Sequence, residues 1–599
     1  MRKYKLRYGK GIPVFLTVLV FTNLMFFKGF GQDGITSQLQ FPKEKVYVHV
    51  NTTTAFVWEY LLYSLSCLDG KTLKPSRVSK IAYVDLIGEN GERIFQQKVR
   101  LDKGRAYSDF FIPTTVVSGN YKLVGYTRWM QNFDKEEFFR QNITIINPYT
   151  SNQSVFLKAE RDSLAYGVKE IQKLPSQANY STSEANSNLA IQLESSKFGP
   201  REKVAFSLIP KITQTEDYNV SISVRKIPSM SSPQPITSSS LKASRSKDVV
   251  LQSSRPMTYR YLPEIRGELI SGRVLDNSTS KPAKAVGVSI SFPGYNSHFK
   301  TAYTKEDGTF YFSIQEEYEG EVAAIQVLGD ENENYELEIF ANIKPDVKEK
   351  DFYAFRLTED MQEAILEQSF HNQIENAFFS VKPDTVLTVS SKTPFFLENS
   401  LEYKLDDYTR FPTLRETVVE ILEHLWIKRE SPEKRTFKVR VNPPYSESDK
   451  KPLVLMDGIQ VLNHENLMDY NARQIEKIAI GRGCYVFGKE VYDGVMSIET
   501  FKKDFNLIYD GTSSLEVSLD KPQARKNYFK QNYLDNAGTN NQSIPDFRYQ
   551  LLWMPMVTAN GSSEFSFFTS DVKGKFEIRV EGFSKTGNPI SLREIIVVE

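Results

Sequence analysis

Cysteine is almost missing from this sequence. Only two cysteines, Cys67 and Cys484, occur among its 599 residues. A disulfide framework requires several pairs of cysteines, so disulfide bonds do not hold this fold together. One bond between Cys67 and Cys484 is the alternative, but the two residues lie in segments that we assign to different domains below. We therefore expect two unpaired cysteines, with Cys67 buried in a strand.

An excess of charge of either sign is also lacking. The 75 Lys and Arg residues nearly balance the 74 Asp and Glu residues, which leaves a formal net charge of +1. Proteins dedicated to nucleic acids carry a strongly basic surface, so we predict no nucleic-acid partner. The hydrophobic fraction of 40% and the charged fraction of 25% are ordinary for globular proteins. Because a single core stops growing at about 250–300 residues, we expect several domains.

Motifs for catalysis, metal binding and nucleotide binding are missing as well. None of the 5 histidines stands in the H-E-x-x-H pattern of a zinc protease, and the chain contains neither a G-x-S-x-G nor a G-x-x-x-x-G-K-[ST] motif. Asp307, Asp457 and Asp493 each precede a glycine, but no calcium-binding loop surrounds them, so we interpret the pairs as turns. The sequence predicts no catalytic residue, no cofactor and no metal site. We expect that the protein is not an enzyme, with a divergent hydrolase as the least favoured alternative.

The first residues have the composition of an export signal. Basic residues precede an apolar run at 12–27, and Gly29-Phe30-Gly31 places small residues before Gln32. This layout predicts a signal peptide at residues 1–31, with an uncleaved anchor helix as the alternative. No later run is long and apolar enough for a transmembrane helix. We therefore expect an exported protein with no integral membrane span after signal cleavage.

Aromatic residues are plentiful, and they favour strands. Phe, Tyr and Trp make up 13% of the chain, and flat rings pack well on a pleated sheet. Residues 40–148 contain the alternating run KVYVHV, the run SKIAYVDLIGENGE with its turn at Glu89-Asn90-Gly91, and the run SGNYKLVGYTRWMQNF. Short alternating strands with frequent turns predict a β-sandwich. These runs resemble the second macroglobulin-type domain (MG2) of α2-macroglobulin-like envelope proteins, which implies a macroglobulin-like sandwich.

Two further segments repeat the strand pattern. Residues 189–260 contain LAIQLESSKFGPREKVAFSLIP and YNVSISVRK, followed by a Ser/Pro/Lys-rich stretch, so we predict a second macroglobulin-like sandwich with a mobile insertion. Residues 506–599 contain FRYQLLWMPMVTANGSSEFSFFTSDVKGKFEIRVEGFS, which is similar to a macroglobulin domain of the same proteins. We predict a separate C-terminal macroglobulin-like β-sandwich there. The polar residues 149–188 predict a linker.

Residues 261–346 carry a different pattern. The runs ISGRVLD, KPAKAVGVSI and TKEDGTFYFSI are strands, and Asp307-Gly308 predicts a two-residue hairpin turn. These segments resemble the carboxypeptidase-regulatory-like β-sandwich that often precedes the plug of bacterial outer-membrane receptors. The resemblance implies no carboxypeptidase activity, because the zinc ligands of that family belong to a different, catalytic domain.

A helical connector is predicted at residues 347–404. Within it, Asp360–Phe379 places apolar residues on one stripe of a helix. The stripe consists of Met361, Ile365, Ile374 and Phe378.

Residues 405–505 contain the most informative pattern. Thr413-Leu414-Arg415-Glu416 is a capping box that begins a helix, strand 453–456 turns at Asp457-Gly458, and Asp493-Gly494 turns into VMSIET. The runs LVLMDG, RQIEKIAIGRG and YDGVMSIET resemble the plug domain of TonB-dependent outer-membrane receptors. The resemblance implies an α/β plug-like domain with a structural or interaction motif. We call its members the plug-motif residues: Asp457, Gly458, Ile475, Glu476, Ile478, Gly494, Val495, Ile498 and Thr500.

Two features of the resembled families are not expected here. A receptor barrel needs about 22 strands of about 10 residues each, whereas fewer than 100 residues follow Thr500. We therefore expect a plug-like module without its own barrel. Protease-trapping macroglobulins carry a Cys-Gly-Glu-Gln thioester, and neither Cys67 nor Cys484 stands in that motif. Covalent trapping is excluded for this sequence.

The tryptophans bear on an alternative function. A surface cluster of Trp58, Trp129, Trp426 and Trp553 would form a platform for carbohydrate. Trp129 and Trp553 lie in strand patterns and Trp426 in a helical one, so core packing is favoured.

The predicted fold is mainly β: tandem β-sandwich (macroglobulin/Ig-like) domains plus a small α/β plug-like domain. The resemblances imply a non-enzymatic, exported scaffold or binding component associated with outer-membrane uptake or secretion machinery. We expect it in the periplasm or at the outer membrane of a Gram-negative bacterium, with outer-membrane or periplasmic proteins as partners, a barrel protein among them. The alternative is an accessory receptor for a glycan or peptide ligand.

Overall fold

The computed structural model describes most of the chain between Phe41 and Glu599. The described ranges are 41–157, 188–211, 216–241, 261–294, 298–318, 320–340, 352–387, 394–443, 449–505, 511–534 and 544–599. The predicted signal peptide lies outside these residues, as do much of the predicted linker and of the predicted mobile insertion. None of the helices within the described ranges has the length and hydropathy needed to cross a membrane.

The first β-sandwich is built from the strands that the alternating runs predict. Its strands are β1 (Glu44–Val50), β2 (Thr54–Phe56), β3 (Tyr60–Asp69), β4 (Ile81–Gly88), β5 (Arg93–Arg100), β6 (Arg105–Phe111), β7 (Gly119–Tyr126) and β8 (Phe139–Ile146). The two sheets have the orders β1-β3-β6 and β2-β8-β7-β4-β5. Val46, Val48 and Val50 point into the core between the sheets. Tyr47 and His49 alternate with them, and their side chains contact Glu581 and Arg579, which belong to the second sandwich described below.

The third sandwich occupies the segment that resembles a regulatory-like domain. Before the third sandwich, the chain forms four strands that belong to the second sandwich described below: β9 (Leu189–Leu193), β10 (Lys197–Phe198), β11 (Lys203–Pro210) and β12 (Asp217–Lys226). The third sandwich itself contains β13 (Glu268–Asp276), β14 (Gly287–Ser291), β15 (Phe299–Tyr303), β16 (Thr309–Ile314), β17 (Val322–Val327) and β18 (Tyr335–Ile339). Its sheets include the orders β16-β13-β18 and β15-β14-β17.

The turn at Asp307-Gly308 differs from its prediction. Gly308 has a φ of +71°, but β15 and β16 do not pair with each other. The turn carries the chain from one sheet of the sandwich to the other. A two-residue hairpin is therefore wrong here, because the partner of each strand lies elsewhere in its own sheet.

Helices are few and short in the described residues. The α-helices are α1 (Ser154–Leu157), α2 (Gln362–Ala377), α3 (Leu414–Glu420) and α4 (Glu465–Met468). Single 3₁₀ turns occur at Trp129–Asn132, Lys135–Glu137, Ser238–Ser240, Asn332–Asn334, Glu359–Met361, Phe379–Val381, Phe395–Leu397, Leu405–Asp407, Ala472–Gln474 and Gly511–Ser513. The N-cap half of the predicted capping box is present, since the Thr413 hydroxyl accepts a hydrogen bond from the Glu416 N–H at 3.2 Å.

Helix α2 packs with its polar side inward. Its buried side chains are Gln368, Ser369, His371 and Asn372. Leu366 and Phe370, one turn apart, are 59% and 60% exposed. The predicted apolar stripe is only half-buried, because the surface below the helix is a polar junction between two sandwiches.

The plug-like segment folds around one mixed sheet and a hairpin. The strands are β19 (Thr385–Val386), which lies before the module, and β20 (Leu401–Lys404), β21 (Leu425–Ser431), β22 (Lys434–Val439), β23 (Leu453–Met456), β24 (Ile459–Gln460), β25 (Ile475–Phe487) and β26 (Glu490–Thr500). The sheet order is β20-β25-β26-β23-β24, and β21 pairs only with β22. Helices α3 and α4 pack onto this sheet and close its core.

The C-terminal strands do not form a sandwich of their own. They are β27 (Ser514–Ser518), β28 (Lys526–Asn527), β29 (Gln550–Asn560), β30 (Ser563–Phe568), β31 (Gly574–Ser584) and β32 (Pro589–Val598). Strand β27 joins the third sandwich beside β17, and β28 pairs with β19. The last four strands combine with β9 to β12 in sheets of the orders β10-β32-β31-β12-β29 and β30-β11-β9. The two segments that we assigned to separate sandwiches thus form one, the second sandwich, because β12 lies inside the sheet and takes β29 and β31 as its neighbours.

Both cysteines are unpaired, as predicted. Cys67 is fully buried in β3, and Cys484 is half-buried in β25. Burial raises the pKa of the Cys67 thiol well above its ordinary value. This thiol therefore behaves as a small apolar side chain of the first core.

Candidate functional site

The plug-motif residues come together in the mixed sheet. Strand β23 runs parallel to β26, and β25 runs antiparallel to it on the other side. Ile478 lies opposite Ile498, and both side chains are fully buried. Ile475 and Val495 are equally buried, so four of these residues supply the core of the sheet.

Asp457 and Gly458 form the predicted turn. Their φ angles are +48° and +87°, the left-handed pair that a tight hairpin between β23 and β24 requires. The Asp457 carboxylate accepts hydrogen bonds from the Thr500 N–H at 2.7 Å and from the Thr500 hydroxyl at 2.6 Å. It also accepts one from the Phe505 N–H at 3.2 Å. Asp457 thus fastens the turn to the end of β26.

Gly494 lies inside a strand rather than in a turn. The predicted turn at Asp493-Gly494 is wrong, because both residues belong to β26 at an irregularity of its pairing with β25. Gly494 has a φ of +88°, and a Cβ atom there would lie 2.5 Å from the Cβ of Val439 in β22. Glycine is required because the hairpin passes directly over this backbone.

Glu476 is the plug-motif residue without a packing role. It is half-buried at an irregularity of the pairing between β25 and β26, beside Ile475. Neither of the two cavities described next is lined by any of the plug-motif residues.

A cleft opens where the first sandwich, helix α2 and the second sandwich meet. We call it the junction cleft, and its volume is about 200 Å³. Its walls come from parts of the chain that lie far apart in sequence. The lining residues include Asn51, Trp58, Glu59, Tyr60, Leu62, Arg225, Asn372, Glu375, Asn376, Phe379, Lys382, Asp384, Tyr528, Phe529, Phe547, Arg548, Tyr549, Gln550, Leu551 and Trp553.

Aromatic rings dominate this lining. The Trp58 ring lies 5.3 Å from that of Tyr149, and the Tyr60 ring lies 6.3 Å from that of Phe379 with planes 20° apart. Trp58 is 36% exposed, and Phe379 is also exposed. Trp58 has a φ of +68°, a conformation that bulky residues rarely adopt.

Glu59 organises one wall of the junction cleft. Its carboxylate accepts hydrogen bonds from Arg225 Nη2 at 2.7 Å, from Gln368 Nε2 at 2.7 Å and from Asn372 Nδ2 at 3.0 Å. These donors belong to the second sandwich and to helix α2. The buried carboxylate therefore joins three parts of the molecule at this point.

A second cluster of charged side chains, around Lys382, also lies at the junction cleft. Lys382 Nζ is 2.8 Å from Glu375 Oε1 and 3.4 Å from Asp546 Oδ1, and Arg548 pairs with Asp546 at 2.7 Å. Burial by itself would raise the pKa of Asp546, but the charge and hydrogen bonds of Arg548, together with Lys382, hold that pKa at about 2. The carboxylate is ionised at neutral pH and keeps both cations in place.

Among the carboxylates that line the junction cleft, Asp384 has the fewest hydrogen bonds to described residues. It accepts one hydrogen bond, from the Phe529 N–H at 2.9 Å. Burial and the nearby Asp109 raise its pKa above the ordinary value. Asp109 itself pairs with Lys526 at 2.8 Å and accepts a hydrogen bond from the Tyr528 hydroxyl.

A second cavity of about 390 Å³ separates the third sandwich from the plug-like module. At its edge, Asp330 bridges Lys434 at 3.1 Å and Lys451 at 2.9 Å. Burial and three neighbouring lysines, Lys451, Lys438 and Lys434, lower the pKa of His464 to about 3. This neutral imidazole accepts a hydrogen bond from the Phe437 N–H and supports the hairpin.

The positions of the tryptophans partly match the sequence analysis. Trp129 and Trp553 are buried, as predicted, although Trp129 lies on a 3₁₀ turn rather than in a strand. Trp426 is 37% exposed and lies in β21, not on a helix, because helix α3 already ends at Glu420. Trp58 and Trp553 both line the junction cleft.

Sequence reasoning missed the junction cleft. Its walls at 51–62, at 372–384 and at 547–553 carry no common motif, and each reads as an ordinary strand or helix. The tryptophan at position 58, outside any strand pattern, was the only local signal. Within the described part of the chain, no group of three or more His, Cys, Asp or Glu side chains could hold a metal ion.

Comparisons with known proteins return distant similarity only. No protein-family model and no curated protein matches the chain. The Salmonella α2-macroglobulin reacted with methylamine is 8% identical over 93% of this chain and 40% of that chain, with a TM-score of 0.22. The Escherichia coli α2-macroglobulin activated by porcine elastase is 8% identical over 93% of this chain and 44% of that chain, with a TM-score of 0.23. The native conformation of the Escherichia coli protein is 10% identical over 93% of this chain and 40% of that chain, with a TM-score of 0.22. The chain thus spans about two fifths of these chains, and its fold class rests on the strand pairing described above.

Proposed function

We propose that the protein is an exported, non-enzymatic binding or scaffold component of the cell envelope, associated with outer-membrane uptake or secretion machinery in a Gram-negative bacterium. The observation that supports a scaffold is the way its modules are joined. From Lys43 to Glu599, the sandwiches and the plug-like module form one compact unit.

Buried polar contacts hold the modules in one arrangement. Lys98 of the first sandwich pairs with Glu268 of the third, and both side chains are buried. Arg579 of the second sandwich donates to His49 Nε2 at 3.1 Å and to the Val50 carbonyl of the first. A buried charge that loses its partner is costly, so such pairs specify one orientation. A fixed arrangement of surfaces suits a protein that positions partners.

The plug-like module is the proposed interaction element. Its motif residues are occupied with turns and core packing, so a partner would meet other parts of its surface. Val419, Trp426 and Val486 are exposed apolar side chains on this module. We propose these side chains as contacts for a protein partner, since aromatic residues such as Trp426 are enriched in protein interfaces.

Affinity purification tests this proposal. We expect the tagged mature protein to recover at least one envelope protein from native outer membranes, identified by mass spectrometry. The double variant Trp426→Ala/Val486→Ser should lose this partner, because it removes two exposed apolar side chains. Trp58→Ala, which changes an equally exposed tryptophan on another module, is the matched control and should retain it. Recovery of no envelope protein above background would contradict the proposal.

A second candidate function is that of an accessory receptor for a glycan or a peptide. The aromatic lining of the junction cleft favours it, since exposed rings around a concave site suit ligand binding. This candidate does not exclude the first, because the cleft and the plug-like module lie on different parts of the chain.

A further inference from the structure

Three ion pairs occupy the charged groups of the junction cleft apart from Asp384. Glu59 pairs with Arg225, Glu375 with Lys382, and Arg548 with Asp546. A charged ligand that broke one of these pairs would incur a cost of several kcal/mol per buried ion. An uncharged ligand with hydroxyl groups leaves the three pairs intact and supplies donors for the Asp384 carboxyl.

Flat apolar surfaces are available at the mouth of the cleft. Trp58 and Phe379 are exposed, and Tyr60 lies beside Phe379. The Trp58 backbone is held in its left-handed conformation by two hydrogen bonds, from its N–H to the Ile112 carbonyl at 2.7 Å and from Asn376 Nδ2 to its own carbonyl at 2.9 Å. Such a conformation costs of order 1–3 kcal/mol and is typical of functional sites.

Several polar atoms of the lining have no partner among the described residues. The Trp553 indole N–H is buried without an acceptor, and the side chain is only 4% exposed. Asp384 uses one carboxylate oxygen for the Phe529 N–H, and the other accepts no hydrogen bond within the described ranges. Asn376 donates through Nδ2, while its side-chain oxygen has no donor there. Of these groups the Trp553 N–H is the buried one, and a buried group without a partner costs about 1–3 kcal/mol. Asp384 and Asn376 are half-buried, so their oxygens are open to donors from a ligand.

We infer that the junction cleft binds an uncharged carbohydrate, with one sugar ring against Trp58 and Phe379 and its hydroxyls donating to Asp384 and Asn376. A sugar ring has a C–H face that packs on aromatic rings and a rim of hydroxyls that donate hydrogen bonds, which matches both features of the lining. The volume of about 200 Å³ is below the ~300–1,000 Å³ of pockets for drug-sized ligands, so the cleft holds a single ring of a longer glycan.

An extended peptide fits this cleft less well. Peptides commonly bind by adding a strand to a free sheet edge. Strand β3, which supplies Tyr60, lies between β1 and β6 and has no free edge. Strand β29, which supplies Trp553, is an edge strand, but its Pro555 and Val557 carbonyls already accept hydrogen bonds from Ser64 and Arg105 of the first sandwich. The inference names the ligand class for the accessory-receptor function and rests on that second candidate.

Calorimetric titration of the full mature chain tests the inference. The probes are the neutral hexasaccharides of glucose (maltohexaose and cellohexaose), of N-acetylglucosamine (chitohexaose) and of mannose, with hexagalacturonic acid as an anionic probe and hexaalanine as a peptide probe. We expect at least one neutral hexasaccharide to bind, and the two other probes not to bind. Binding of hexaalanine in preference to every sugar would overturn the carbohydrate assignment.

Variants locate the binding. Trp58→Ala, Phe379→Ala and Asp384→Asn should each weaken the affinity about tenfold or more, as is usual for central contacts of a site. Trp426→Ala removes a tryptophan of equal exposure outside the cleft and should leave the affinity unchanged. Equal loss in Trp58→Ala and Trp426→Ala, or none in any cleft variant, would place the sugar elsewhere and overturn the inference. Thermal melting of each variant separates lost binding from lost folding, and Phe379→Ala changes an exposed residue without backbone strain.

Failure of this inference is distinguishable from failure of the proposed scaffold function. If no sugar binds but the envelope partner is still recovered, only the carbohydrate assignment is overturned. If sugars bind but no envelope protein is recovered, the scaffold proposal is overturned and the receptor function stands.

Discussion

Glu264 shows how much a single buried carboxyl can influence this molecule. It lies between the first and third sandwiches, where it accepts hydrogen bonds from the Tyr83 hydroxyl at 3.1 Å and from the Leu269 N–H at 3.1 Å. Burial raises its pKa to about 7, against the attraction of Arg128 and with a further increase from Glu268. The folded protein therefore binds this proton more tightly than the unfolded chain does.

The raised pKa predicts a loss of stability with rising pH. The contribution of Glu264 is complete below about pH 4.5 and is lost progressively as the pH rises to about 7, by roughly 3 kcal/mol in total. Glu264→Gln keeps an acceptor for both donors and cannot ionise. We expect this variant to lose that part of the pH dependence and to be more stable than the wild type at pH 8. Urea unfolding across this pH range is the measurement.

A surface residue provides the control for this experiment. Glu331 is exposed, so Glu331→Gln should give the same profile as the wild type. If the profiles of Glu264→Gln and of the wild type run parallel from pH 4 to 8, the carboxyl does not titrate as described.

At the scale of elements, close contact between strands decides which residues are required. The hairpin of β21 and β22 crosses β26 at Gly494, where no side chain fits. Similarly, the turn between β23 and β24 is fastened to the end of β26 through Asp457 and Thr500. The plug-motif residues are therefore explained by the geometry of one sheet.

Gly494→Ala should destabilise the plug-like module strongly. The new Cβ would overlap Val439 and would also force a left-handed conformation on alanine, at a cost of about 3 kcal/mol. Gly561→Ala is the matched control, since Gly561 has a φ of +69° with open space around it, and should cost only about 1 kcal/mol. Hydrogen exchange of the amides in β22 and β26, and of those beside Gly561, measures both losses. Equal losses at the two sites would show that the contact with Val439 is unimportant.

At the scale of the whole molecule, the second sandwich is assembled from two segments far apart in sequence, residues 189–226 and residues 550–598. Val220 of β12 has Val557 of β29 on one side and Gly582 of β31 on the other. Between β12 and β29 the chain passes through the entire third sandwich and the plug-like module. Closing so long a loop is entropically costly, so these pairings are expected to form late in folding.

Removal of residues 544–599 tests this assembly. The shortened chain loses both neighbours of β12 and one of the two neighbours of β11, so we expect amides in β12 and those of β11 that face β30 to lose their protection from hydrogen exchange. The first sandwich, whose core cluster loses only Phe583, should remain protected and serves as the internal control. Full protection of β12 in the shortened chain would show that residues 189–260 fold as an independent sandwich.

Local patterns determined the kind of structure at most positions. Val46, Val48 and Val50 alternate because side chains of a strand point to opposite faces, and Thr413 caps a helix because its hydroxyl reaches an unpaired N–H. Asp457-Gly458 became the expected turn for the same reason, since a tight turn depends on the conformations of its own residues. These features depend on neighbours in sequence, so the sequence alone contains them.

Only the tertiary structure decided which strands are partners and which residues meet. The pattern of residues 550–560 predicts a strand, but no local feature indicates that β12, more than 300 residues earlier, is its neighbour. Nor does the pattern around Trp58 show that Phe379 and Trp553 share a cleft with it. Pairing depends on complementary faces brought together by the packing of all modules, and the junction cleft exists only where three of them meet.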